Sequence, residues 1–277
     1  MLNEVFNINN QYSNNVFREN VVFGNMPIGN PADITLNMIE HINTADYILI
    51  ESHREFEWTL KLINELNLST SVKLNPKAKI VQFDLDSSKE EIDKLINDLI
   101  EKSRDKKLLA ISDEGSSIFL EPMSMLKTAL IQRKLPFQVV PGPNAVISSA
   151  VNFGGPFNVV EFYFGSSYPA LSNQEKKITF DRIKYLNVET IFLLRAEGMK
   201  NYITEMKNEL DSNWFADFAI NLSMPNETHI MGEFDKILKF IDENKELFEY
   251  DRNTKKFAIL IFPKNKTNGV GNYPQIG

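Results

Sequence analysis

Short apolar segments alternate with longer helical patterns along the first half of this chain, and this alternation strongly constrains the fold. Tyr47–Ile50 is an apolar run with the length of a buried strand. From Leu36, apolar residues recur at Ile39 and Ile42, which is the spacing of one helix face. The pattern predicts strands at 21–23, 47–50, 79–83, 108–111 and 138–140, and helices at 36–43, 56–66, 88–99 and 123–131. Strands that alternate with helices in this way form a parallel sheet.

The second half of the chain has a less regular order, which predicts another α/β domain with a mixed sheet. Its predicted elements are strands at 160–164, 190–194, 218–222 and 257–261, and helices at 144–151, 179–186, 199–210 and 235–244. The predicted fold class is therefore α/β, with an N-terminal α/β domain at 21–137 and a C-terminal α/β domain at 138–264. We expect residues 1–20 to form a flexible arm and residues 265–277 a flexible tail.

The composition is typical of a globular enzyme and excludes several kinds of site. The chain has 277 residues, of which 43% are hydrophobic and 24% charged, and it has no cysteine for disulfides or thiolate chemistry. Its histidines, His41, His53 and His229, lack metal-ligand spacing, so no metal site is expected. The chain shows no membrane-spanning run and no signal peptide, so a cytoplasmic location is expected. The net charge of -7 argues against a nucleic-acid-binding surface covering the whole protein.

Three turns follow strands of the predicted parallel sheet, and each is suited to binding a small ligand. They are Pro27-Ile28-Gly29, Ser112–Ser117 and Pro141–Ala145. The carboxyl ends of parallel strands share one edge of a sheet, where ligands bind, so these turns should gather there. Asp33, after the first turn, is expected to cap the helix that begins at Leu36 or to orient the loop.

The chain lacks the short motifs of several common enzyme classes. No G-x-G-x-x-G fingerprint follows the first strand, which weakens the case for dinucleotide binding. The sequence has no G-x-x-x-x-G-K-[ST] loop and no G-x-S-x-G elbow. A P-loop nucleotide hydrolase is thereby excluded, and an α/β-hydrolase is unsupported.

The motifs around these turns occur in a distinctive order along the chain. They are Pro-Ile-Gly-Asn-x-x-Asp-Ile-Thr from Pro27, Glu-x-x-Arg from Glu51, Ser-Asp-x-Gly from Ser112, Pro-Gly-Pro-x-Ala from Pro141, and Gly165 after an aromatic strand. This order resembles the tetrapyrrole methylase superfamily over roughly residues 20–264. Within it, the chain is most similar to the ribosomal small-subunit methyltransferase I family, which methylates a cytidine ribose 2′-hydroxyl of 16S rRNA.

The resemblance implies a class III methyltransferase fold, with S-adenosyl-L-methionine held in a cleft between two α/β domains. It also implies a homodimer, the usual assembly in the superfamily. By the same resemblance, the turns supply the cofactor-binding residues, and two later segments line the adenine side. The implied cofactor-binding residues are Pro27, Ile28, Gly29, Asp113, Gly115, Ser116, Ser117, Pro141, Gly142, Asn144, Ala145, Leu194 and Leu222.

The segment that follows the second predicted strand supplies the candidate catalytic residues. Glu51 and His53 are candidate bases for taking a proton from the methyl acceptor. Arg54 is a candidate for holding a phosphate or carboxylate in a two-pronged contact. The competing interpretation is structural: His53 is an exposed loop histidine, and Arg54 forms an ion pair with Glu51 or Glu55.

The substrate-side motifs depart from those of the RNA-methylating family and leave the methyl acceptor open. Glu51-Ser52-His53-Arg54 replaces Glu-Asp-Thr-Arg, and Leu222-Ser223-Met224-Pro225 replaces a segment containing Thr-Lys. Three hypotheses result. The leading one is methylation of a 16S rRNA ribose on the 30S subunit. The second keeps the chemistry but uses a peptide backbone amide, a tetrapyrrole or another biosynthetic small molecule. The third is an S-adenosylmethionine-binding module without turnover.

Overall fold

The structure is a computed structural model in which the chain divides into two compact units, Met1–Asn144 and Ala145–Gly277. It describes residues 19–66, 71–83, 87–112, 115, 123–145, 147–148, 151, 160–164, 171–186, 189–195, 198–210, 214–224, 226–245, 248 and 256–263. The predicted arm lies outside the described residues up to residue 18, and the predicted tail lies wholly outside them.

The first unit contains the predicted parallel sheet. Its strands are β1 (Val21–Asn25), β2 (Tyr47–Ile50), β3 (Lys79–Gln82), β4 (Leu108–Ser112) and β5 (Gln138–Val139). They lie in the order β3-β2-β4-β1-β5, and every pair is parallel. Because β5 pairs with β1, the structure keeps β5 and the third predicted turn, up to Asn144, in the first unit.

Helices cover both faces of this sheet. They are α1 (Leu36–Thr44), α2 (His53–Glu65), α3 (Lys89–Lys102) and α4 (Met123–Gln132), with a 3-10 helix at Pro31–Asp33. Alternate residues of β1 show the layering. Val22 packs in a core with residues of α1 and α2, whereas Phe23 packs in a second core with residues of α3 and α4. This alternation follows from the two-residue period of a strand.

The helix starts are set by short polar side chains. Thr35 Oγ1 accepts the Met38 N–H at 3.1 Å, so Thr35 caps α1. Asp33 belongs to the preceding 3-10 helix, and the prediction that it caps α1 was therefore wrong. His41, on α1, is fully buried. Burial and the nearby Lys107 charge lower the pKa of His41 to about 4, so it is a neutral core residue.

The second unit contains a mixed sheet. Its strands are β6 (Val160–Phe164), β7 (Glu189–Arg195), β8 (Trp214–Ile220), β9 (Thr228–Gly232) and β10 (Lys256–Pro263). Their order is β6-β7-β10-β8-β9, with β6 parallel to β7 and the other pairs antiparallel. Two predictions need correction. The strand predicted at 218–222 runs from Trp214 to Ile220, and β9 was not predicted.

The helices of the second unit are α5 (Asn173–Leu186), α6 (Met199–Glu209) and α7 (Phe234–Glu243). They pack with the sheet around a core that contains Phe180, Phe192 and Phe218. The rings of Phe180 and Phe192 stack with centroids 6.3 Å apart. The helix predicted at 144–151 lies partly outside the described residues. Across the described parts of both units, no helix combines the length and apolar character needed to cross a membrane.

Candidate cofactor site and active site

The parallel register brings the carboxyl ends of β1, β4 and β5 to one edge of the first sheet. Asn25, the last residue of β1, lies opposite Ser112, the last residue of β4. On the other side of β1, Phe23 lies opposite Val139 of β5. The turns after β1, β4 and β5 therefore start side by side. This is the edge where ligands bind in open α/β sheets.

The first turn is joined to the second by backbone pairing. The Gly115 N–H donates to the Met26 carbonyl at 3.0 Å, and the two residues form an isolated antiparallel bridge. Gly115 adopts a φ of 68°, a left-handed conformation that a side chain would strain. Met26 and Ile28 are both buried, so the Pro27-Ile28-Gly29 turn is anchored on each side of Pro27.

The third turn packs closely against the end of β1. The Val140 N–H donates to the Phe23 carbonyl at 2.9 Å, so the chain still runs beside β1 as it leaves β5. A Cβ added to Gly142 would lie 2.8 Å from Asn25 Cβ, so only glycine fits without displacement. Asn25 is 5% exposed, and its Oδ1 is buried without a hydrogen-bond partner among the described residues. A glycine cradle beside a buried acceptor atom fits the edge of a polar ligand site.

The candidate catalytic residues lie at the end of β2 and the start of α2. Ser52 Oγ accepts the Glu55 N–H at 3.3 Å and caps α2, which places His53 and Arg54 in its first turn. Both of these side chains are exposed. Arg54 Nε lies 3.8 Å from Glu55 Oε1, and Glu55 is one of the two predicted ion-pair partners. Glu51 is partly buried, and its Oε1 is shielded from solvent.

The remaining predicted cofactor residues divide between described and undescribed positions. Pro141, Asn144 and Ala145 are described and follow β5 in the chain. Leu194 lies on β7, paired with Phe257 of β10, and Leu222 is fully buried just after β8. The predicted residues outside the described ranges are Asp113, Ser116 and Ser117, together with Gly165 of the family motif.

One charged cluster in the second unit was not predicted from the sequence. Asp217 is 4% exposed on β8, and its Oδ1 lies 3.5 Å from His229 Nδ1. That separation is an ion-pair distance, longer than a hydrogen bond. The other ring nitrogen, Nε2, lies 2.8 Å from Glu227 Oε1. The Asp217 carboxylate makes the largest contribution to the pKa of His229, and the Glu227 carboxylate adds to it. Together they outweigh the opposing effect of burial and raise this pKa to about 9.

This cluster leads into the turn that holds Leu222. Glu227 Oε2 accepts the Ser223 N–H at 2.6 Å, and the Met224 N–H donates to the Asn221 carbonyl at 2.9 Å. Asn221 and Ser223 have left-handed φ values of 56° and 63°. Among the described residues, no group of three or more His, Asp or Glu side chains is placed to hold a metal ion.

An open parallel sheet with glycine residues beside its carboxyl edge is the architecture of an α/β protein that binds a small ligand at that edge. The sequence profile of the tetrapyrrole (corrin/porphyrin) methylases matches residues 25–237. The chain belongs to this family, and it is an S-adenosylmethionine-dependent methyltransferase.

Similar proteins agree with this assignment. The ribosomal RNA small subunit methyltransferase I of Hydrogenobaculum sp. is 25% identical over 242 residues, which are 87% of this chain and 94% of that protein. Among solved structures, a cobalt precorrin-4 methyltransferase matches with a TM-score of 0.59 and 14% identity, over 88% of this chain and 95% of its own.

A second solved structure is the uroporphyrin-III C-methyl transferase of Thermus thermophilus complexed with S-adenosyl homocysteine. It matches with a TM-score of 0.53 and 14% identity, over 87% of this chain and 96% of its own. At these identities the two structural matches establish the fold, and the family profile establishes the class of enzyme.

Proposed function

We propose that the three turns of the first unit hold S-adenosylmethionine and that the methyl acceptor is a ribose of ribosomal RNA. The observation that supports the acceptor most directly is the similarity to a ribosomal RNA methyltransferase over nearly the whole of both chains. The observation that supports the cofactor position is the close approach of Gly142 to Asn25 beside the first two turns.

The cofactor-binding residues proposed in the first unit are those of the turns, with Pro27, Gly115 and Gly142 at their centres. Gly142 lets the backbone of the third turn approach Asn25, whose buried Oδ1 has no hydrogen-bond partner among the described residues and is suited to a polar part of the cofactor. Leu194 and the segment Asn221–Ser223, with Leu222 at its centre, are proposed to line the adenine side of the cofactor. When bound, S-adenosylmethionine supplies an activated methyl group on sulfonium, so the protein mainly contributes positioning.

The acceptor hydroxyl must lose a proton, and Glu51 is the first residue we propose as its base. A carboxylate oxygen shielded from solvent at a strand end is suited to that role. His53 is the alternative base in the same segment. The exposed guanidinium of Arg54, at 58% side-chain exposure, is proposed to hold an RNA phosphate.

The acceptor is tested by transfer of a radiolabelled methyl group to 30S subunits from cells that lack the rRNA methylation. We expect label in 16S rRNA. Arg54→Ala should lower transfer about tenfold, as for loss of a charge-assisted hydrogen bond. Lys61→Ala is the matched control, because Lys61 lies on the same helix, is 64% exposed and contacts Glu65 at 3.9 Å. It should retain full transfer.

Two outcomes would contradict different parts of the proposal. If the protein binds S-adenosylhomocysteine in calorimetry but leaves 16S rRNA unlabelled, the RNA acceptor is excluded and the cofactor proposal stands. If it binds neither S-adenosylmethionine nor S-adenosylhomocysteine, the proposed cofactor site is wrong.

A second acceptor class is favoured by the charge of the protein. The net charge of -7 is unfavourable for a large contact with phosphates, and the substrate-side motifs differ from those of the RNA-methylating family. A peptide amide or a biosynthetic small molecule would then take the methyl group. If the radiolabelled methyl group appears only in a peptide or a small molecule, this second acceptor class is supported and the RNA acceptor is excluded.

Two further parts of the proposal concern the setting of the enzyme. We propose that it acts as a homodimer, which light scattering of the purified protein tests directly. A ribosomal acceptor would place the protein in the cytoplasm, which fractionation of the producing cells tests.

A further inference from the structure

The turn between β8 and β9 is held by an ionic chain that runs from the sheet to its backbone. Asp217, on β8, lies diagonally across from His229 on β9, because Ala219 is the residue directly opposite His229. Diagonal neighbours on adjacent strands are within reach of long side chains. His229 in turn contacts Glu227 at 2.8 Å, and Glu227 accepts the Ser223 N–H at 2.6 Å.

The turn has a strained backbone that needs such support. Asn221 and Ser223 both have φ values near 60°, a conformation that costs energy for residues other than glycine. The residue between them, Leu222, is fully buried, so its side chain anchors the middle of the turn. The Glu227 carboxylate fixes the Ser223 side of the turn, and His229 fixes that carboxylate.

We propose that His229 is a positioning residue: by bridging Asp217 and Glu227 it keeps the turn Asn221–Ser223 in the conformation that binds S-adenosylmethionine. The inference rests on the proposed function, in which the segment Asn221–Ser223 lines the adenine side of the cofactor. His229 acts on the turn through Glu227, and its protonation makes the cofactor affinity depend on pH.

The charged groups around His229 determine the direction of that dependence. β8 supplies Asp217 and the turn supplies Glu227, both of them acidic. On the far side of β8, the residue of β10 opposite Asp217 is Leu260, which carries no charge. From α7, Lys236 donates its Nζ to the Met231 carbonyl at 2.9 Å. The bridge therefore requires a protonated His229, and it should weaken as the pH rises through about 9.

The test measures binding of S-adenosylhomocysteine by calorimetry between pH 7 and pH 10, which needs no turnover. Wild-type affinity should be constant up to about pH 8 and then fall. His229→Gln should bind roughly fivefold more weakly at pH 7 and show no such fall. Lys239→Gln is the matched control, because it removes one exposed cation that lies 3.7 Å from Glu243 on the same unit. It should reproduce the wild-type profile.

A second measurement examines the turn without any ligand. Amide hydrogen exchange of the peptide that contains Ser223 should become faster in His229→Gln, while exchange in α6 stays unchanged. If His229→Gln does not fold, Glu227→Gln tests the same link, because it keeps an acceptor for Ser223 and removes the charge that faces His229.

The outcomes separate this inference from the proposed function. Wild-type binding with an unchanged affinity and pH profile in His229→Gln would overturn the positioning role and leave the cofactor proposal intact. Wild-type protein that fails to bind S-adenosylhomocysteine at any pH would overturn both.

Discussion

The turns proposed to bind the cofactor are held in their conformations by different physical means in the two units. In the first unit, Gly142 lets backbone segments approach closely and Gly115 adopts a left-handed φ, so the arrangement depends on residues without a side chain. In the second unit, charged side chains hold the turn after β8, and the arrangement depends on the protonation of His229. The first unit should therefore be sensitive to added volume, and the second to pH.

The largest expected effect is that of Gly142→Ala. The new methyl group would lie 2.8 Å from Asn25 Cβ, an atom fixed to the backbone of β1, so the turn after β5 must move. We expect a loss of about 2 kcal/mol in the free energy of unfolding, as for overpacking of a tight contact. S-adenosylhomocysteine affinity should fall at least about tenfold. Urea unfolding and calorimetry measure the two effects.

A destabilised variant elsewhere is the control for Gly142→Ala. Gly198 precedes α6 with a φ of 79°, so Gly198→Ala should cost about 1 to 2 kcal/mol through backbone strain. Its cofactor affinity should stay at the wild-type value below the unfolding temperature. If Gly142→Ala also kept wild-type affinity, the turn after β5 would not belong to the cofactor site.

The second effect concerns the pH dependence of stability in the second unit. The folded-state pKa of His229, about 9, lies above the ordinary value of 6.5. Its stabilisation is therefore fully present below pH 6.5 and is lost as the pH rises through 9. Because the side chain is 32% exposed, we discount for solvent screening and expect about 1 kcal/mol.

The difference in unfolding free energy between wild type and His229→Gln measures this contribution. Trp214 is buried on β8, and Trp58 is 54% exposed on α2. In a Trp58→Phe background, fluorescence therefore reports unfolding of the second unit alone. We expect the difference at pH 6 to disappear at pH 10. A difference that is the same at both pH values would rule out the ionic bridge.

The same contrast between the units explains what the sequence could and could not predict. The predicted bounds of β2, residues 47–50, agree with the structure, because a buried parallel strand is a continuous apolar run. The edge strand β9 has the sequence Thr-His-Ile-Met-Gly with no buried residue, so it carries no such signal. In β8, Asp217 interrupts an apolar segment, so the predicted strand began only at residue 218, and it continued to 222, past the end of β8 at Ile220.

The local turn motifs were recognisable in the sequence, but their contacts were not. Pro27-Ile28-Gly29 and Pro141-Gly142 can be predicted as turns because proline and glycine indicate a turn from the local sequence alone. The contact of Gly142 with Asn25 depends on the pairing of β1 with β5, which are far apart in the chain. The bridge from Asp217 to His229 likewise depends on strand register, with β9 itself unpredicted.

The smallest effect tests which residue starts α1, the helix that follows the first turn. Thr35 Oγ1 accepts the Met38 N–H at 3.1 Å, so Thr35→Ala should lower stability by about 0.5 to 1 kcal/mol. Thr35→Ser keeps the hydroxyl and should restore most of that loss. Asp33→Ala should change stability by less than about 0.5 kcal/mol, because Asp33 is exposed and is not the cap. The reverse order in urea unfolding would return the capping role to Asp33. By contrast, the N-cap of α6 is Gly198, which has no side chain to remove, so the start of α1 is the more sensitive to loss of a cap.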